Sequence, residues 1–415
     1  MKIKSKWLPV VLLIVASCVG RNNQNNRKEE INFDDTRETQ IFQIDPRTFE
    51  ENELTVADFA ADIEYIPLSN AIKIGFVTAL KITCEAIYLV SDESSGGEGE
   101  GHQVLIRFNS DGQDPIQIGR IGKGPGEYLT SANFTVDEQH SRVYINGKLN
   151  TIMVFDTKGR YIREFKFQDP DIRFSQIELL TAAYLFVPER SLGAKSQHLW
   201  TIIDTLGNIV SVKNSSTPHF ETRIGARGGT CSFNGNISCW VDYNDTIFTI
   251  FPDFGYKASF IMTPGEHRKP QEDIPLSLDL PIRLLEYYSP HYFFETNRYL
   301  ISRYNYKGKF GYMFLDKAAQ KISICYFDVK KDERGGIVNN IDGGLEFSPE
   351  AYFTKGRDEY LAGLIHPFKL KAYIASNAFK RSTPSSAERK KELEQLANSL
   401  DENDNPVLML VKLKN

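Results

Sequence analysis

Three stretches decide the reading: Phe108-Asn109-Ser110-Asp111-Gly112, Phe155-Asp156-Thr157-Lys158-Gly159 and Ile203-Asp204-Thr205-Leu206-Gly207. Their glycines stand 47 and 48 residues apart. Each stretch closes one apolar run and opens another, at residues 161–167 and 208–212 for the second and third. Polar residues ending in glycine between two such runs predict a hairpin turn, with the glycine supplying a positive φ. A weaker copy, Phe314-Leu315-Asp316-Lys317-Ala318, precedes the run 321–326.

Outward from these turns the chain is a succession of short strands. Ala86-Ile87-Tyr88-Leu89-Val90, Val104-Leu105-Ile106-Arg107-Phe108, Arg142-Val143-Tyr144-Ile145, Thr151-Ile152-Met153-Val154-Phe155 and Tyr161-Ile162-Arg163-Glu164-Phe165 are β-branched or aromatic and bounded by turn residues. Such close spacing predicts antiparallel hairpins and leaves no room for βαβ crossovers. A period of 40 to 50 residues with about four strands describes a β-propeller blade, because one small sheet cannot bury both faces without a neighbour on each side. A pair of β-sandwiches is the competing architecture and makes the turn similarity fortuitous. Residues 39–415 have room for about eight blades at this period, fewer if loops such as 92–101, rich in Gly, Glu and Ser, are long.

Near the carboxyl end the pattern changes. Ser385-Ser386-Ala387-Glu388 resembles a capping box, and Leu393, Leu396 and Leu400 form a narrow apolar stripe, so residues 385–400 are predicted to form a short helix. Asn405-Pro406 ends it, and residues 407–413 are predicted as a last strand. That strand and the first one, 40–44, are expected to complete one blade together and so close the ring.

The amino terminus has its own logic. Lys2, Lys4 and Lys6 precede an apolar run at 8–16, which is too short to span a bilayer. Val15-Ala16-Ser17-Cys18 resembles a bacterial lipobox, so residues 1–17 are expected to be a lipoprotein signal peptide and Cys18 the acylated residue. Residues 18–38, polar with almost nothing to bury, are expected to be a flexible tether. Val19 is not the aspartate associated with inner-membrane retention. The expectation is an outer-membrane lipoprotein, periplasmic or surface-facing, held to the membrane through its lipid.

Composition agrees with a folded, exported domain. With 41% hydrophobic and 25% charged residues the chain can bury a core, which excludes disorder. Its net charge is −5, and loss of residues 1–17 removes three lysines and no acid, giving −8. Without a basic block, nucleic acid is excluded as a partner. Cys84, Cys231, Cys239 and Cys325 are the remaining cysteines. A three-residue turn at Asn234–Asn236 sets Cys231 opposite Cys239, whereas a two-residue Asn-Gly turn sets it opposite Ser238, so a bridge depends on turn length.

Ile121-Gly122-Lys123-Gly124-Pro125-Gly126-Glu127-Tyr128, Tyr243-Asn244-Asp245-Thr246-Ile247-Phe248 and Asn403-Asp404-Asn405-Pro406-Val407-Leu408 together resemble the six-bladed β-propeller lipoproteins of Gram-negative gut-type bacteria, relatives in architecture of NHL-repeat propellers. The resemblance implies an all-β fold, with residues 39–415 forming one propeller of six blades. It supplies no catalytic residue.

Chemical motifs are sparse. Gly122-x-Gly124-x-Gly126 lacks the ending of a phosphate loop, and no helix pattern follows it. As a ligand site, Arg120, Lys123, Glu127 and Tyr128 are the candidates, expected to face the end of the central channel and bind an anionic or hydroxylated molecule. Asp401–Asn405 imitates a calcium loop, but Pro406 and Lys412 stand where glycine and glutamate are needed. The seven histidines have no ligand spacing, and no GxSxG is present. The rings at 287–294 and 304–306 suit either the core or a sugar-stacking surface. No catalytic residue, metal or cofactor is expected. The function expected is a non-catalytic binding or scaffold module for a protein partner or a glycan; the alternative is an envelope enzyme of lyase or lactonase type acting at the channel.

Overall fold

The computed structural model describes residues 40–51, 54–92, 103–167, 176–188, 198–215, 228–270, 283–327 and 335–414. The expected signal peptide, the tether and Cys18 lie outside these residues, as do His102, His219 and most of the loop at 92–101.

Six antiparallel sheets follow one another. Blade one contains Phe76–Ile82, Ala86–Asp92, Gln103–Asn109 and Ile116–Ile118. Blade two contains Phe134–Asp137, Arg142–Lys148, Thr151–Asp156 and Tyr161–Lys166. Blade three contains Glu178–Thr181, Tyr184–Pro188, His198–Asp204 and Ile209–Asn214. Blade four contains Gly228–Phe233, Asn236–Val241, Thr246–Ile250 and Tyr256–Met262, and blade five Ser289–Glu295, Tyr299–Tyr306, Lys309–Asp316 and Lys321–Phe327. Blade six contains Ala351–Lys355, Asp358–Ile365, Val407–Leu413 and Ala60–Pro67. The first strands of neighbouring blades approach one another and surround the axis. The fold is therefore an all-β six-bladed propeller, and the expected strands 86–90, 104–108, 142–145, 151–155 and 161–165 lie inside observed ones, whereas the expected first strand, 40–44, is shortened to Phe42–Ile44.

The period has a steric cause. Gly112, Gly159 and Gly207 occupy the turn between third and fourth strands with φ of 78°, 81° and 93°. A Cβ on each would lie 2.6, 2.4 and 2.3 Å from the carbonyl oxygens of Pro67, Gln117 and Lys166, residues of the preceding blade's outer strand. Gly112 O accepts from Ser69 N, and Gly159 O accepts from Gly119 N. The repeated glycine thus satisfies two demands, a left-handed turn and close backbone approach between blades.

Middle strands are sandwiched between neighbouring blades, so their side chains are buried on both faces. Ala86–Val90 is buried throughout rather than alternately. Between blades one and two, Tyr88, Leu105, Val143, Met153 and Phe155 form one apolar cluster. Each such side chain contributes about 1.5–3 kcal/mol.

The ring closes differently from the sequence expectation. The last strand, Val407–Leu413, pairs with Ala60–Pro67, from Ala60↔Leu413 to Pro67↔Val407. Phe42–Ile44 instead adds a parallel fifth strand to the outer edge of blade four. Between these strands the chain straps blade five, bridging Glu51 to Ile324 and Thr55 to Val338 and placing Phe49 against Tyr288, Tyr304 and Tyr306. This strap accounts for part of the length that an eight-blade count assigns to further repeats.

A helical insertion in blade six accounts for more. Pro367–Ala375, Asn377–Arg381 and Ala387–Ser399 separate its second and third strands. The last is the expected short helix before the closing strand, but its N-cap is Ser386, whose side chain accepts from Arg389 N, so Ser385 is not the capping residue. Leu370, Ile374, Phe379, Leu393 and Ala397 seat the insertion on blades five and six. Asn234 and Gly235 have φ of 49° and 73° and form a two-residue turn, which sets Cys231 opposite Ser238 and Cys239 opposite Thr230. Among the described residues, Cys84, Cys231, Cys239 and Cys325 are free thiols.

Candidate functional site at the channel mouth

One end of the channel opens into a cavity of about 590 Å³. Its wall comes from the first strand of blade one, the first two strands of blade five, the segment before blade six and the first turn of Pro367–Ala375. Sequence separation hides this grouping. The first strands of blades one and five both break register here, between Val77 and Ala79 and between Pro290 and Tyr292. Such bulges turn strand side chains toward new directions and are common beside binding sites.

The polar lining is Thr78, Tyr292, Arg303, Ser348, Glu350, His366 and Lys369. Tyr292 donates its hydroxyl hydrogen to Pro349 O at 2.5 Å. The Tyr292 and Tyr312 hydroxyls are 3.4 Å apart, and Tyr312 is 2.7 Å from Ser348 Oγ. Burial, and then the neighbouring Tyr312, push the Tyr292 phenol well above its ordinary range; the Arg303 charge opposes this. Arg303 lies 5.3 Å from the Phe327 ring centre and 5.9 Å from that of Phe310, stacking distances that restrict its guanidinium. Phe76 and Phe368 flank the opening at 63% and 50% exposure.

Farther along the first strands the channel is crossed by hydrogen bonds. Lys81 of blade one reaches Glu178 of blade three at 2.7 Å. Glu178 Oε1 accepts from Thr230 of blade four at 2.9 Å and from Gln176 at 3.1 Å. These bonds join three blades across the axis.

The residues singled out from the sequence lie elsewhere. Arg120–Ile121 and Glu127–Tyr128 form a two-stranded parallel ladder joining blades one and two. Arg120 Nε is 3.0 Å from Glu127 Oε1, and Lys123 is exposed. The Glu127 carboxylate fills the centre of the glycine turn, where its Oε2 accepts from Gly124 N at 2.8 Å; a Cβ at Gly122 would meet that oxygen at 2.1 Å. An internal carboxylate therefore holds the place that a phosphate-loop reading gives to an external anion. Tyr128 is fully buried, packs against Phe155, and donates to Ile118 O at 3.0 Å. None of the four residues lines the 590 Å³ cavity.

The aromatic segments divide in a similar way. Tyr288, Phe293, Tyr304 and Tyr306 are core, and only Tyr292 of those runs reaches the cavity. The signal that sequence reasoning passed over is His366-Pro367 directly after an apolar strand, since proline is favoured at the first position of a helix. Among the described residues no group of three or more His, Cys, Asp or Glu is arranged to hold a metal ion. Among them too, no helix is long and apolar enough to cross a membrane.

A family model described as "Domain of unknown function (DUF4934)" matches residues 39–412. The chain belongs to the DUF4934 family. No curated protein matches this DUF4934 chain. Among solved structures it is similar to a Bacteroides fragilis protein described as "Putative exported protein", at 17% identity and a TM-score of 0.63, covering 91% of this chain and 100% of the other. It is more distantly similar to a DUF4221 member from Bacteroides vulgatus, at 12% identity and a TM-score of 0.45, covering 88% and 100%. Virginiamycin B lyase from Staphylococcus aureus follows at 13% identity and a TM-score of 0.36, covering 72% and 95%. The first of these likenesses supports the propeller fold.

Proposed function

We propose that this DUF4934 protein is a lipid-anchored, NHL-like propeller of the cell envelope that binds a glycan, without catalysis, in the cavity at its channel mouth. The observation that carries the reading is the meeting of two exposed phenyl rings, Phe76 and Phe368, with hydroxyl and charged side chains around a cavity of about 590 Å³. Sugars present C–H faces and hydroxyl edges, and this lining offers a counterpart to each. The volume falls within the ~300–1,000 Å³ range of small-ligand sites.

Export and anchoring rest on the lipobox before Cys18 and on the description of the Bacteroides fragilis neighbour. Outer-membrane placement rests on the residue after Cys18. A protein partner docked on the rim is the other occupant considered, and Lys123 with the Arg120–Glu127 pair is its natural place.

A lyase or lactonase at the same cavity needs a general base. Burial pushes the Tyr292 phenol further above its ordinary range, which suits hydrogen bonding to a bound hydroxyl and makes this group a poorer base. Titration of the full-length chain with a panel of trisaccharides tests the proposal. Saturable binding without turnover is expected; release of a new reducing end or an unsaturated product would favour the enzyme.

A further inference from the structure

We infer that the ligand of the channel-mouth cavity is an acetamido sugar, a hexosamine whose nitrogen is acetylated. This rests on the glycan reading above and adds the group by which the ligand is recognised. Arg303, Glu350, His366 and Lys369 are each already engaged within the protein. The Tyr292 and Ser348 hydroxyls have the more definite polarity, because the bonds they make decide what each can still offer a ligand.

A hydroxyl has a single hydrogen to give and lone pairs with which to accept. Tyr292 gives its hydrogen to Pro349 O at 2.5 Å. Its oxygen therefore has only acceptor capacity left. Tyr312 is fully buried, so its own hydrogen needs an acceptor inside the protein. Among the described residues two are within reach, Ser348 Oγ at 2.7 Å and the Tyr292 hydroxyl oxygen at 3.4 Å. The first has the ordinary length of an O–H···O bond and the second is well beyond it. Tyr312 thus donates to Ser348, and the Ser348 hydrogen is left for the cavity that Ser348 lines. The wall so presents an acceptor, Tyr292, and a donor, Ser348, both within 3.4 Å of one Tyr312 oxygen.

A carboxylate has no hydrogen for Tyr292, and an ammonium has no lone pair for Ser348. An amide has both, its N–H and C=O standing on adjacent atoms. A further wall of the cavity, from the first strand of blade one, is aliphatic, with Val77, Ala79 and Leu80. A sugar hydroxyl has nothing to place against it, whereas an acetamido methyl loses its contact with water there. Phe76 and Phe368 remain for the C–H faces of the sugar ring. Donor, acceptor and methyl together describe the acetamido group.

Calorimetric titration of the full-length chain with three β-1,4-linked trisaccharides, of N-acetylglucosamine, of glucose and of glucosamine, tests this. The acetylated probe is expected to bind about ten-fold more tightly than the glucose one, the gain of one hydrogen bond and one buried methyl group, and to exceed the glucosamine one by a similar factor. Tyr292→Phe removes the acceptor and Ser348→Ala the donor. Each is expected to narrow the gap between the acetylated and glucose probes while changing affinity for the glucose probe less, with the unfolding midpoint showing that the variant is folded. The comparison of probes on the wild-type chain needs neither variant. Equal or tighter binding of the glucose or the glucosamine probe overturns the inference and leaves the glycan site standing. An undiminished gap in both folded variants overturns it as well. Failure of these probes and of the whole trisaccharide panel overturns this inference together with the reading on which it rests.

Discussion

Lys81 Nζ lies 2.7 Å from Glu178 Oε2, joining the first strand of blade one to that of blade three across the channel. Glu178 is 5% exposed, so its charge depends on Lys81, Thr230 and Gln176 for compensation. Lys81→Met removes the only cation in this set and is expected to destabilise the propeller by about 1–3 kcal/mol. Adding Glu178→Leu is expected to recover much of that loss, because apolar replacement of both partners leaves no unpaired charge. Urea unfolding of the two single variants and the double variant measures both effects.

The turn glycines give a second prediction. Gly159→Ala combines a left-handed φ with a Cβ placed 2.4 Å from Gln117 O, whereas Gly235→Ala has φ of 73° but nothing within 4 Å. Gly235→Ala is expected to cost about 1–2 kcal/mol, the conformational penalty alone. Gly159→Ala should cost more, because blades one and two must separate to admit the methyl group. Equal unfolding midpoints for the two variants would contradict the steric account of the repeat.

These glycines were legible in the sequence because they satisfy a local demand that few residues meet. The partner of the closing strand was not. Phe42–Ile44 and Ala60–Pro67 both precede blade one in the chain, and the choice between them depends on where the bridges of Glu51 to Ile324 and Thr55 to Val338 lead the chain. The site was less legible still. Phe76, Tyr292, Arg303, Ser348, Glu350 and His366 meet only because the ring brings blades one, five and six together, and no spacing along the chain encodes that meeting. In contrast, Gly122 to Tyr128 was conspicuous because its glycines make room for Glu127, a requirement internal to the turn.

Thiol chemistry follows from the two-residue turn at Asn234-Gly235. Cys231 and Cys239 occupy successive register positions, paired with Ser238 and Thr230, and so do not form a cross-strand pair. Burial pushes the Cys231 and Cys325 thiols up to about 12 from an ordinary value of 9.0. In the native protein, Cys84 is expected to react with a thiol reagent well before these two, as the exposed thiol. Since the folded-state values are raised, the stability contributed by the neutral thiols is fully present below pH 9 and is lost as pH rises through 12. Reagent titration with and without denaturant checks the order of reaction, and unfolding midpoints between pH 8 and 12 check the sign.

Anchoring is tested by Cys18→Ser. The wild-type chain is expected to incorporate labelled palmitate and sediment with membranes, and the variant to do neither. Membrane association of the variant without label would point to another means of attachment.

The central claim is that the channel-mouth cavity is the binding site, and Phe76→Ala with Phe368→Ala tests it most directly. Both rings are exposed and lie outside the apolar core, so the unfolding midpoint of the double variant is expected to stay close to that of the wild type. Affinity for the best trisaccharide of the panel is expected to fall about ten-fold or more, as two ring contacts worth roughly 0.5–1.5 kcal/mol each are lost. Unchanged affinity in a folded double variant would contradict the account and move the binding surface away from the channel mouth.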